Sequence, residues 1–350
     1  MNKHWMSIHI FYYGSPDALI VNCIAPLIEE LRKRDLLHRY FFIKYWMEGP
    51  HVRLRLLPAG QDCEAEIQSI TEQAITSYLK QRPALYQPDA KALSPFYKSL
   101  FIAEYGQAKW LEKYGEDGMI SIRPNNSFAY IPYEPEYFRY GGIDGIELAE
   151  WHFDQSSDII IELLREVNVR VPTILLGISI QLSLPLFYGF FADDQQVMDA
   201  FDNYIGFWQN NYSSSGNFEA YNKKYQRMAP YLQQRILEIK RQMVTHTATL
   251  TPIEAAWKAH IHELHTRVDS FIADRSARLM DGWIDETGES AIDAPLRNQD
   301  TKNVYHILLN SYIHMTNNRL GVTIPHEVYL AFLLKQALGD QVRRIQEVNT

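Results

Sequence analysis

The sequence predicts an α+β protein with a strand-and-helix portion over residues 1–142 and a mainly helical portion over residues 143–350. Three observations predict it. Residues 5–13, 39–47 and 51–57 are short runs rich in β-branched and aromatic side chains. From Ile143 onward apolar positions recur at helical spacing over long stretches. With 46% apolar and 22% charged residues, 350 residues can bury a full core.

In the first portion, residues 5–13 read as a strand, and Ser15-Pro16-Asp17 supplies a capping residue followed by proline at a first helical turn. A helix to about Arg34 follows, with Leu19, Ile20, Cys23, Ile24, Leu27, Ile28 and Leu31 on one face. The runs at 39–47 and 51–57 flank Glu48-Gly49-Pro50, a turn signal, and so predict a hairpin. A helix at about 62–80 and strand material at 128–133 complete a β-α-β-β-α-β series of ferredoxin-like type. Helices are expected in the second portion at about 143–167, 174–191, 195–211, 217–245, 252–275, 302–320 and 325–346. The loop Ser213 to Gly216 and the polar stretch Asp285 to Asp300 are expected to be mobile.

Composition excludes several classes. With 34 basic and 42 acidic residues the formal charge is -8, which argues against wrapping nucleic acid, so any anion site must be local. Cys23 and Cys63 are too few for a disulfide scaffold and lack metal-ligand spacing, which fits a reducing compartment. The start lacks the apolar core and cleavage site of a signal peptide, so a cytoplasmic location is expected. Residues 171–192 carry no charge over a bilayer-spanning length, but with Pro172, Gln181 and Pro185 inside they read as a buried bundle helix and not a membrane span.

Three constellations can carry chemistry. In His51-Val52-Arg53-Leu54-Arg55-Leu56 the strand period sends His51, Arg53 and Arg55 to one face, where two guanidiniums make a fork suited to a carboxylate or oxyanion. The same pattern also describes a solvated sheet face. The segment from Tyr133 to Gly142 sets Glu136 and Arg139 three apart, as an ion pair that either fixes Arg139 for a ligand or braces a junction. Along the helix at 302–320, His306, Asn310, His314 and Asn318 form an i+4 polar stripe facing solvent or a wet cleft, where His314 can move a proton or simply be satisfied. The cluster His260, His262 and His265 lacks H-E-x-x-H spacing and reads as a helix surface after a Thr251/Glu254 capping box, so no metal is expected. There is no glycine-rich phosphate loop and no nucleophile motif.

The runs HWMSIHIFYYG, FFIKYWMEGPHVRLRL, YEPEYFRYGG and SYIHMTNNRLG, in that order, resemble the C-terminal elimination domain of lantibiotic dehydratases and its stand-alone relatives in thiopeptide-type bacteriocin pathways. The resemblance covers nearly the whole chain. It implies a lyase that expels glutamate from glutamylated Ser or Thr of a precursor peptide to leave dehydroalanine or dehydrobutyrine, without a cofactor. It carries Arg53, Arg55, Glu136, Arg139 and His314 over as catalytic residues, with His51, Lys44 and Asn318 as further substrate-binding candidates. His314 is then either the base at Cα or the acid for the leaving group. The implied partners are the glutamylated precursor and a separate tRNA-dependent glutamylating protein; no direct nucleic-acid contact is expected, and a homodimer is compatible with this reading. Two alternatives come with the resemblance: a pyridine synthase joining two dehydroalanines, whose members tend to lose the arginine set, and a non-catalytic leader-binding module using a β-edge. The expectation that ties the residues together is that the hairpin, the pre-helical turn and the late helix converge on one anion-holding pocket.

Overall fold

The computed structural model describes residues 4–86, 89–116, 118–211, 218–244, 250–275 and 301–348. Ser213 to Gly216 and Asp285 to Asp300, expected to be mobile, lie outside the described residues. The chain is α+β, and it divides into two compact units. The first comprises Met1–Glu134 with Ile160–Glu166, the second Pro135–Ile159 with Val167–Thr350.

Unit 1 is built on an antiparallel sheet of β1 (Met6–Phe11), β2 (Leu37–Tyr45), β3 (His51–Pro58) and β4 (Ser127–Tyr130). The strand order is β2-β3-β1-β4. Ser15 caps α1 (Pro16–Leu19), its side chain accepting from Ala18 N–H at 3.3 Å. The single helix expected to Arg34 is not uniform: a π-helical turn over Ile20–Ile24 separates α1 from α2 (Ala25–Lys33). Pro26 explains it, because proline donates no N–H to the turn before it and its ring crowds that turn. After β3 come α3 (Glu64–Gln81) and α4 (Ala90–Tyr114). Sequence periodicity does not reveal α4, whose run holds Pro95 and breaks at Gly106, φ 87°. It builds a small aromatic core of Tyr97, Phe101, Trp110 and Ile120 against Trp46 and Met47.

The two sheet faces differ in chemistry. One carries Ile8, Ile10, Tyr40, Phe42, Leu54 and Leu56, each with essentially no exposure, and takes the apolar faces of the flanking helices. Arg32 of α2 sits 5.0 Å over Tyr40 on this face. The other face carries the polar set described below.

Unit 2 is helical: α5 (Tyr137–Tyr140), most of α6 (Gly142–Glu166), α7 (Pro172–Phe190), α8 (Asp194–Asn211), α9 (Phe218–Val244), α10 (Pro252–Arg275), α11 (Thr301–Leu320) and α12 (Ile324–Val348). These follow the periodic segments to within a few residues. Among the described residues α7 alone is long and apolar enough to cross a membrane, with 44% of its most apolar window buried. It packs against α8, α9, α10, α11 and α12. At its midpoint Gln181 donates to Glu254 Oε1 at 2.8 Å and accepts from Arg235. The Thr251/Glu254 capping box forms reciprocally, at 2.9 and 3.2 Å.

Candidate active site

In unit 1 the sheet places Arg53 and Arg55 of β3 across from His9 and Ser7 of β1 and from Ile43 and Phe41 of β2. His51, Arg53 and Arg55 share one face, as strand alternation requires. His51 and Arg55 are buried, at 5% and 4% exposure, so this is not a solvated face. Trp5, Phe41 and Tyr133 meet edge to face, with centroids 5.1 to 6.0 Å apart, and Arg55 lies 5.3 Å from the Tyr133 ring. Arg53 sits 3.5 Å over Tyr45.

Two histidines hold the arginines. The hairpin turn runs through Gly49 at φ 105°, where an added Cβ would meet the Tyr13 hydroxyl at 2.5 Å, and so needs glycine. Its carbonyl accepts from His51 Nδ1 at 2.8 Å, which leaves His51 Nε2 to accept from Arg53 Nε at 3.2 Å. His9 Nε2 accepts from Arg55 Nη2 at 3.3 Å, and its ring stacks on His51 at 4.9 Å. Burial, then the neighbouring guanidiniums, push His9 down to about 2; burial and the same guanidiniums, against the Gly49 carbonyl, bring His51 to about 3. Both rings are neutral acceptors at neutral pH. Burial, then Arg53, bring the Arg55 guanidinium down to about 9, still cationic. Arg55 Nε and Nη1 are buried without a hydrogen-bond partner among the described residues. Two adjacent cations held by neutral acceptors, with buried donors unfilled, can take an anion with fork geometry.

Lys44 is not brought to this cluster. It pairs in register with Val52, so it projects to the opposite, helix-covered face, where its Nζ binds Asp17 Oδ1 at 2.6 Å. Burial lowers the Lys44 ammonium and Asp17 opposes the shift.

In unit 2, α11 ends at Gly321, φ 102°, which lets the chain turn into α12. His314 lies seven residues before that glycine and Glu327 six after, so folding α12 back sets them opposite each other. His314 Nδ1 lies 3.2 and 3.3 Å from the two Glu327 oxygens. The Glu327 side chain has no exposure and that of His314 is 17% exposed. Tyr204 of α8 donates to Glu327 Oε2, and Trp208 packs 4.6 Å from the His314 ring. Burial first, then the Glu327 carboxylate, raise the Tyr204 phenol far above its ordinary value, so it remains the donor. Beside this group Ser179 donates to Asn317 Oδ1 at 2.7 Å, and a small cavity is lined by Ser179, Tyr204, Asn317, Glu327 and apolar side chains.

The stripe on α11 is therefore largely internal: Asn310 is buried and donates to Asn203 at 2.9 Å, His306 stacks on Phe191 at 4.9 Å, and Asn318 is half-buried. Arg139 donates to Glu136 Oε2 at 2.9 Å across α5, with side chains 34% and 59% exposed. The buried Tyr140 of α5 stacks on Tyr312 of α11 at 6.1 Å, so the turn carrying Arg139 is anchored to the helix carrying His314. His260, expected at a helix surface, is buried at 6% because it stacks on His152 at 5.0 Å, its Nε2 2.8 Å from His152 Nδ1. Among the described residues no three His, Cys, Asp or Glu side chains gather into a metal-binding group.

Sequence reasoning missed His9, Glu327 and Tyr204. Alternation in β1 marks His9 as a partner for the arginine strand once the register is known. Glu327 reads as an ordinary acidic residue in a helix first turn, and Tyr204 as a core aromatic.

Solved structures that share the fold include the following three. The pyridine synthase TbtD from thiomuracin biosynthesis superposes with a TM-score of 0.67 at 19% identity, covering 97% of this chain and 98% of that one. TsrL gives 0.60 at 14% identity over 98% and 96%. The tRNA-dependent lantibiotic dehydratase MibB from Microbispora sp. 107891 gives 0.58 at 17% identity, over 97% of this chain but 28% of that one. No curated protein matches the chain in sequence. The lantibiotic biosynthesis dehydratase C-terminal family matches residues 5–338, and the chain belongs to that family.

Proposed function

We propose that this protein is a lyase that eliminates glutamate from glutamylated Ser or Thr residues of a ribosomally made precursor peptide. The observation that carries the reading is Arg55: a buried guanidinium beside Arg53, held by neutral histidines, with Nε and Nη1 unfilled. Glutamate leaves as a carboxylate and carries a second one on its side chain, while loss of the Cα proton places an enolate-like charge on the peptide. Fixed cationic donors away from water stabilise all three. In this reading Arg53, Arg55 and Arg139 hold the glutamyl group and the developing oxyanion, Glu136 orients Arg139, His51 positions Arg53, and His314 moves a proton. Asn318 borders the His314 helix face as a further substrate contact. Lys44 is committed to Asp17 and has no part. The step requires no cofactor. A separate tRNA-dependent protein supplies the glutamyl ester, which places the reaction in the cytoplasm.

Supporting the same family reading, unit 1 is ferredoxin-like in our assignment, since its all-antiparallel order β2-β3-β1-β4 places helical crossovers before and after the β2-β3 hairpin.

A second reading is favoured by the near-complete mutual coverage with the pyridine synthase TbtD. Retention of Arg53 and Arg55 argues for elimination, because a cyclisation of dehydroalanines has no glutamate carboxylates to hold. Mass spectrometry separates the two: a glutamylated precursor incubated with the protein is expected to lose one glutamate per modified site. A precursor that keeps its glutamyl esters, while a dehydroalanine-containing one becomes a macrocycle, would establish the second reading instead.

A further inference from the structure

We propose that Glu327 is the positioning residue that fixes His314 in the Nδ1–H tautomer, leaving a bare Nε2 as the base at Cα, and that Tyr204 holds Glu327 in that task. The inference rests on the elimination reading for the identity of the substrate, but the tautomer itself does not.

The argument starts from hydrogen-bond roles. An ionised carboxylate only accepts, so whatever faces it must donate. Tyr204 donates to Oε2 and keeps its proton because burial and the adjacent carboxylate disfavour the phenolate. His314 Nδ1, 3.2 Å from Oε1, must then carry the ring proton, and in the neutral imidazole Nε2 is left with its lone pair. Nε2 has no partner among the described residues, and the ring is partly exposed. Trp208 on the ring and Glu327 at Nδ1 fix its plane.

Such a ring takes a proton at Nε2. The Cα–H bond breaks towards Nε2, its electron pair forms the Cα=Cβ double bond, and the Cβ–O bond breaks, so that glutamate leaves as a carboxylate. The resulting imidazolium donates from Nδ1 to Glu327 and is stabilised by it. No oxidant or further reactant is needed, and the proton is returned to solvent or to the departing glutamate. A buried Asp or Glu bonded to Nδ1 plays the same orienting part in hydrolase triads.

Tyr204 gives the proposal a specific consequence. In Glu327→Gln the tyrosine still donates, so it claims the amide oxygen and turns the NH2 group towards His314. Nδ1 becomes an acceptor and the proton moves to Nε2, the wrong atom. The corresponding carboxylate-to-amide change in a Ser-His-Asp triad lowers kcat about 10⁴-fold.

The test combines 15N NMR of the His314 ring with glutamate release from a glutamylated precursor, on the full chain. Wild type is expected to show protonated Nδ1 and bare Nε2. Glu327→Gln should show the reverse, with kcat lower by about 100-fold or more and KM within about threefold. Adding Tyr204→Phe to Glu327→Gln frees the amide to rotate, and should restore the Nδ1–H tautomer and raise kcat at least about tenfold over the single variant. Wild type with protonated Nε2 overturns the proposal, even if no variant folds. So does Glu327→Gln at wild-type kcat. If wild type releases no glutamate but shows the Nδ1–H tautomer with the reversal in Glu327→Gln, the elimination reading fails and the positioning role stands.

Discussion

Each unit buries a polar cluster, and the two are built on opposite principles. In unit 1 two guanidiniums are packed among aromatics and neutral histidines, and Arg55 keeps donors unfilled. In unit 2 every oxygen of the buried Glu327 is met, by Tyr204 and by His314. An isolated buried cation costs stability, whereas a satisfied buried carboxylate becomes costly only when a partner is removed. In the proposed elimination, unit 1 takes a charge that arrives with the substrate, and unit 2 a charge that shifts within the protein.

Substitutions can break that contrast, and the largest effect is expected at Arg55. Arg55→Leu should reduce glutamate release by about 10²–10³-fold, as loss of a fixed oxyanion donor does, while leaving stability unchanged or raising it by about 1 kcal/mol. Glu327→Leu should go the other way on stability, falling by about 1–3 kcal/mol because the Tyr204 hydroxyl and His314 Nδ1 lose their acceptor. Chemical denaturation of both variants beside wild type measures the pair of signs. Equal destabilisation would erase the contrast.

Acid titration sharpens it. His9 and His51 titrate in the folded protein at about 2 and about 3, below the ordinary value of 6.5. The unfolded chain therefore binds protons first, so the stability these rings confer is full above about pH 6.5 and is lost as pH falls towards 3. His152 and His260 add the same sign in unit 2, the latter at about 3. Thermal melting between pH 7 and 5 should show a falling midpoint, and His9→Gln, which keeps an acceptor for Arg55, should flatten the fall.

Smaller effects are expected at the exposed pairs. Arg139→Ala removes an ion pair worth at most about 0.5–1 kcal/mol, so melting should barely change while glutamate release drops. Lys44→Met, on the opposite sheet face, should leave turnover within about twofold of wild type. A large loss of turnover there would place Lys44 back in the substrate site.

The helices of unit 2 were legible because an apolar stripe at period 3.6 survives any tertiary arrangement, and the hairpin was legible because alternation and Gly49 both mark it. Arg53, Arg55 and His51 could be assigned to one face from β3 alone. The burial of His51 and Arg55 could not, since it comes from side chains distant in the sequence: His9 and Phe11 against His51, and Tyr133 beside Arg55. The α4 helix was hidden by Pro95 and Gly106, local breakers that its aromatic core overrides. Lys44, named only as a substrate-binding candidate, pairs with Val52 and so lies on the face opposite Arg53 and Arg55. Glu327 was invisible because its partner, His314, is reached only after the Gly321 turn, and a first-turn acid has a sufficient local explanation in the helix dipole.

In the proposed function the Arg53–Arg55 cluster holds carboxylates, and calorimetric titration of the full chain with L-glutamate tests that role without any peptide substrate. Saturable binding to wild type, weakened at least about tenfold in Arg55→Ala and little changed in Lys44→Met, is the expected result. Glutamate affinity that is the same in wild type and Arg55→Ala would contradict it.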